Sequence, residues 1–325
     1  MGDTVVQRVE RRTFAMKVET TYGTDIFAGT VAAADIMAVY GIAADPQVNM
    51  VDIPAMGATM GSLGAVPGTR IGRVSCEMML RGAGAAYSAS VLPEVDRLLR
   101  ACGYAATLVV TAGSESVTYK PVSTGFEPFT IYCHYENGAT VKLSGCYGDC
   151  QIICQVGQPL RARFNFTGLY ITEADTPAIS AKVFSPTPQW PVLLSSLFQI
   201  STENYAPNYS QVTFNTGNAI DVQEAANVAS GIAGVFIASR RSSGSIDPEM
   251  VTVAVFPWKT KFETGALMDM SFQTNGAQYA RVKFSCPTVQ MRSRGLGNRG
   301  MKGAYSIGFE ALYVSGGDEL SILFD

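Results

Sequence analysis

Asn137-Gly138-Ala139-Thr140-Val141-Lys142-Leu143-Ser144-Gly145-Cys146 has a counterpart in Asn275-Gly276-Ala277 with Val282-Lys283-Phe284-Ser285 and Cys286. In both, an Asn-Gly pair lies between strand-like runs, which predicts a two-residue hairpin. The run that follows alternates apolar and polar side chains, so one face of a strand turns to a core. Two more matches keep the same order. Upstream, Gly72-Arg73-Val74-Ser75-Cys76-Glu77-Met78 corresponds to Gly244-Ser245-Ile246-Asp247-Pro248-Glu249-Met250. Downstream, Phe166-Thr167-Gly168-Leu169-Tyr170-Ile171 corresponds to Phe309-Glu310-Ala311-Leu312-Tyr313-Val314. A candidate helix follows the first match in each copy. Three matches in one order predict an internal duplication of a small β-rich unit.

The rest of the chain reads as strands and turns around two helices. Pro93–Gly103 has Pro near its start, acids in the first turn, Arg100 near the end and Gly103 as a stop. Val95, Leu98, Leu99 and Cys102 form its apolar stripe. A second short helix is expected at Trp258–Glu263, closed by Gly265. Arg161–Ile171 alternates with period two at its start, a half-buried strand. Pro177, Pro186 and Pro188 cluster between the copies, so the expected units are residues 1–175 and 176–325.

Two segments fit neither pattern. Asp45–Arg70 carries Pro46, Pro54 and Pro67 with glycines and methionines, and reads as a long connection of the functional kind. Asp52, Met56 and Met60 are its candidate contact residues. The N-terminal stretch leads from Val5 into the charged Arg8-Val9-Glu10-Arg11-Arg12 run, either a solvated arm or a docking arm. A third candidate, the basic Gly-rich Arg292–Lys302 with Arg292, Arg294 and Arg299, reads as a hairpin tip between matched strands. It is open to three uses: a solvated loop, a contact with acidic groups of a neighbouring subunit, or a contact with DNA.

Composition narrows the function. Hydrophobic residues make up 47% of the 325, enough for a sizeable core and against a disordered chain. A net charge of −3 disfavours a protein that grips nucleic acid by its phosphates. No run of about 18 apolar residues is present, so no membrane span is expected. Seven cysteines without a signal-like N-terminus argue against a disulfide framework and read as core thiols. Cys146, Cys150 and Cys154 recur every four residues near Cys133-His134, but on one strand Cys150 and Cys154 lie about 13 Å apart, too far for one metal. His134 is the only histidine, and no nucleophile signature accompanies it. No cofactor, metal or catalytic activity is expected.

Several motifs together resemble the tail tube proteins of long-tailed, siphovirus-type bacteriophages. They are Lys17-Val18-Glu19-Thr20-Thr21-Tyr22-Gly23-Thr24-Asp25, Leu98-Leu99-Arg100-Ala101-Cys102-Gly103, Thr118-Tyr119-Lys120-Pro121-Val122-Ser123 and Phe164-Asn165-Phe166-Thr167-Gly168-Leu169-Tyr170. Thr264-Gly265-Ala266-Leu267 and Gly317-Asp318-Glu319-Leu320 complete the set. The resemblance implies a mainly β fold of two tandem β-sandwich or half-barrel domains, each with a short flanking helix. It further implies a virion protein assembled in the host cytoplasm, whose rings stack into a hollow tube for DNA. Long loops and arms would bridge rings, and three tandem chains would make a pseudo-sixfold ring. The expected partners are the chain itself and the tape-measure, baseplate and terminator proteins, with genomic DNA passing unbound and no membrane. Another ring-forming tail component, or a ligand-binding β-sandwich module, remains the alternative.

Overall fold

The computed structural model describes residues 12–28, 30–54, 64–136, 138–175 and 191–325. The first half holds β1 (Thr13–Val18), β2 (Ile36–Met37), β3 (Tyr40–Asp52), β4 (Ala65–Met79), α1 (Asp96–Ala101), β5 (Tyr104–Val109), β6 (Ser116–Pro121), β7 (Phe129–His134), β8 (Ala139–Gln155) and β9 (Arg161–Asp175). The second holds β10 (Leu197–Gln199), β11 (Gln211–Asn215), β12 (Asn218–Glu224), β13 (Ile232–Arg240), β14 (Ser243–Ile246), α2 (Trp258–Glu263), β15 (Leu267–Gln273), β16 (Val282–Arg299), β17 (Lys302–Ala311) and β18 (Ser321–Phe324). The protein is mainly β, with large antiparallel sheets and two short helices, consistent with a β-sandwich.

In the first half the strands lie in the order β1-β7-β8-β9-β4. In the second half β10-β15-β16-β17-β14 repeats that order, also antiparallel throughout. Register repeats too. Ile131 lies opposite Leu143, and Phe272 opposite Phe284, the position matched to Leu143 in the sequence. One matched stretch is displaced by two positions: Val74 faces Phe166, whereas Gly244 faces Phe309. A two-residue slip keeps every side chain on its face, which is why alternation alone does not detect it.

The halves are cross-braced. Gln151–Gln155 of β8 pairs with β11, which pairs with β14. At the opposite side β18 pairs with β16 and with β6. Sixteen strands thus join in one sheet system, and β12–β13 forms a separate two-stranded sheet. One large apolar core runs through both halves, beside a small separate cluster of Ala15, Phe27 and Tyr132. Phe164 and Phe166 stack with ring centroids 6.0 Å apart in the first half, and Phe214 stacks on Phe284 at 5.0 Å in the second. All seven cysteines are buried thiols. Burial pushes Cys133 and Cys286 up to about 12, so they are neutral hydrophobes at physiological pH.

Four expectations need correction. Asp45–Asp52 and Ala65–Arg70 are strand rather than loop: β3 and β4 pair from Tyr40↔Glu77 out to Asp52↔Ala65, with Pro46 opposite Gly72. Prolines there concealed the strands, because Pro is tolerated where its missing N–H faces no ladder partner. The expected two-residue hairpins are longer. β7 and β8 are joined by residues 135–138, and β15 and β16 by residues 274–281, where Val282 N–H bonds Thr274 Oγ1 at 2.9 Å. Arg292 and Arg294 lie within β16, and the turn of that hairpin is Gly300-Met301. The first helix is also shorter than its signals suggested.

Gly168 sits opposite Gly72 where β9 crosses β4. A Cβ on Gly168 would lie 2.9 Å from Ser144 O and closer still to Cys146 Sγ. Gly168→Ala is therefore expected to cost about 1–3 kcal/mol by overpacking, read as a lower urea midpoint. An unchanged midpoint would show that β8 can move aside.

Candidate functional site

The Lys17–Asp25 motif builds a buried anchor. Glu19 accepts hydrogen bonds from Gly145 N–H (2.6 Å), Gly23 N–H (2.7 Å) and Thr130 Oγ1 (2.8 Å). Burial raises its carboxyl above the ordinary glutamate range, and those three donors oppose the rise. Asp25 accepts from Tyr132 and from Phe27 N–H at 3.0 Å. The turn so fixed points Tyr22 across the outer face of β8. Gly145, at φ +57°, leaves the room: a Cβ there would be 2.8 Å from Tyr22 Cζ.

Tyr22 in turn holds β12–β13. Its hydroxyl accepts from Val235 N–H at 2.5 Å and donates to Val235 O at 3.0 Å, and its ring stacks on Tyr147 at 6.3 Å. Asn218 at the base of β12 donates to Cys102 O (2.7 Å) and Gly148 O (2.9 Å), while its N–H bonds Asp149 at 2.8 Å. At the far end Arg70 N–H bonds Ser230 O at 3.1 Å. A hairpin from the second half thus lies across the first half's sheet. The consequence is visible in β8, where Leu143–Gly148 is buried on both faces.

The predicted contact residues fall into three groups. Val5, Arg8, Arg11, Met56 and Met60 lie outside the described residues. Arg12 is docked: Nη1 bonds Ile42 O at 2.7 Å and the guanidinium lies 5.0 Å from the Tyr135 ring centroid. Asp52 ends β3, exposed. The three arginines of β16 find partners within the chain. Arg292 Nε bonds Glu310 at 2.6 Å, and Arg299 Nη2 bonds Glu249 at 2.5 Å. Arg294 lies 4.6 Å from the Tyr305 ring centroid. Arg241 grips Glu310 from its other side at 2.6 Å. Those two arginines hold the Glu310 carboxyl below the usual range.

Sequence reasoning missed the exposed apolar surface of β3–β4. Met50 is 55% exposed, Val51 52% and Val66 50%, with Val48 and Ile53 nearby also exposed. An isolated two-stranded hairpin is marginal in water, and a cluster of exposed aliphatics marks an interaction surface. The signal available in the sequence was the alternation Val48-Asn49-Met50, blurred by Pro46 and Val51. The seam at Tyr22 left a fainter trace, since only its motif stood out and its partner lies two hundred residues away.

Among the described residues no three His, Cys, Asp or Glu side chains converge as metal ligands, and no helix is long and apolar enough to cross a membrane. Tyr22→Phe removes both bonds to Val235 and leaves backbone groups of a covered hairpin unpaired. A loss of about 1–3 kcal/mol in urea unfolding is expected, and an unchanged midpoint would deny the seam its role.

A search of curated proteins gave no match. The family model for phage tail tube proteins matches residues 10–311, running through both halves and the seam between them. The chain belongs to the phage tail tube protein family.

Proposed function

We propose that this structural tail protein forms the tube as stacked rings of three chains, each chain filling two of six quasi-equivalent positions. The observation that carries the reading is the repeated strand order of the two halves, β1-β7-β8-β9-β4 and β10-β15-β16-β17-β14. Two units of one topology give each chain two similar faces, and a head-to-tail arrangement of three such chains closes into a ring. In this reading residues 1–175 and 176–325 are tandem tube domains, cross-braced by β11 and β18.

The chemistry suits a conduit for DNA. A net charge of −3 repels phosphates. The cations of the basic stretch are engaged by Glu310, Glu249 and the Tyr305 ring, which supports a structural role for them and leaves little free charge to retain a sliding backbone. The tape-measure, terminator and baseplate proteins are the partners this role requires. Nothing in the role calls for catalysis or a cofactor.

Electron microscopy of the purified protein across a concentration series tests the reading. Hollow tubes with three chains per layer are expected. Six chains per layer would reject the pseudo-sixfold arrangement, and a monodisperse monomer at high concentration would reject self-assembly.

A further inference from the structure

The two halves repeat their strand order, yet one sheet is covered on its outer face and the other is open. In the first half, β12–β13 lies over β8 and β9, so Leu143–Gly148 is buried on both sides. In the second half, β16 alternates from Val282 to Met291, buried on its core side and solvent-accessible on the other. The open face presents Gln290, Arg292 and Glu310, with Arg241 at its rim; Arg241 and Arg292 side chains are 72% and 50% exposed.

The hairpins are equally unbalanced. β12–β13 leads into the strand that pairs with β17 and precedes α2. β3–β4 leads into pairing with β9 and precedes α1, the same place in the first half. Where β12–β13 is docked, with Ile232, Val235 and Ile237 buried, the outer part of β3–β4 exposes Met50, Val51 and Val66 among the described residues. The chain therefore carries one covered face with its hairpin, one open face and one open hairpin of the matching kind.

The open hairpin cannot satisfy the open face of its own chain if the repeat is head to tail, because its place in the series is one step away. We propose that the β3–β4 hairpin of one chain docks on the β16–β17 face of the next, as β12–β13 docks on β8–β9 within the chain. The occupant is thus a second copy of this chain, and the intramolecular seam is the template. Charge is compatible: Asp52 is the only charged side chain of Gln47–Pro54 and Ala65–Thr69, and the face offers two arginines to one glutamate. This contact rests on the ring reading above and adds to it the identity of the two surfaces.

Photo-crosslinking tests it in assembled protein. A benzophenone amino acid is placed at Met50, and in a second variant at Val51, to sample the two faces of the hairpin. Each variant is mixed as a minor fraction with unmodified chains, so that assembly does not depend on the probe, and rings or tubes are verified by microscopy before irradiation. The expected result is covalent dimers on denaturing gels, from at least one of the two positions, with the acceptor peptide spanning Ser285–Ser293 or Ser306–Leu312. Assemblies that form but yield no dimers, or dimers joined elsewhere, overturn the docking while leaving the tube reading in place. Absence of any assembly overturns both.

Discussion

The hydroxyl of Tyr22, held between the N–H and C=O of Val235, fastens the second half of the chain over the first. Much else is arranged around that contact. Glu19 organises the turn that aims the ring, Gly145 has no side chain where the ring passes, and Tyr147 stacks beneath it. The outer face of a sheet strand is normally wetted, with polar side chains alternating outward. β8 departs from that pattern because a hairpin covers it. The motif Lys17–Asp25 is therefore less a local turn than half of an interface between two repeats.

An arrangement built from similar halves must treat its two ends differently. Within the chain, strand pairing through β11 and β18 closes edges that would otherwise be templates for uncontrolled association. At the exposed end, β3–β4 presents apolar side chains and the β16–β17 face presents paired ions. Ions already engaged by Glu310 are a moderate surface: specific enough to orient a partner, too exposed to hold one alone. That division suits a subunit that assembles with other copies of itself.

Period-two alternation marked parts of β8, β9 and β16, and the three matched stretches fall on β4 and β14, β8 and β16, and β9 and β17, strands that share one order. Trp258–Glu263 was found at its observed bounds. Other parts were not readable, for identifiable reasons. Pro46 and Pro67 disguised β3 and β4, although the pairing runs past both, with a register shift beside Pro67. The Asn-Gly pairs suggested tight turns, but Thr274 bonding Val282 closes a wider one. Arg292 and Arg294 read as a cationic tip because their counter-ions and ring partners lie on the neighbouring strand, which a linear view does not bring together. The Tyr22 seam depends on a contact between residues far apart in sequence, and no local pattern marks Val235 as its partner.

On the proposed docking, the covered face inside the chain is the template for a covered face between chains. Hydrogen–deuterium exchange of the free and the assembled protein tests it most directly. Amides of Gln47–Pro54 and Thr288–Ser293 are expected to slow on assembly, while Leu143–Gly148 and Val235, already covered by the intramolecular seam, exchange slowly in both states. Equal exchange of Thr288–Ser293 in free and assembled protein would contradict it.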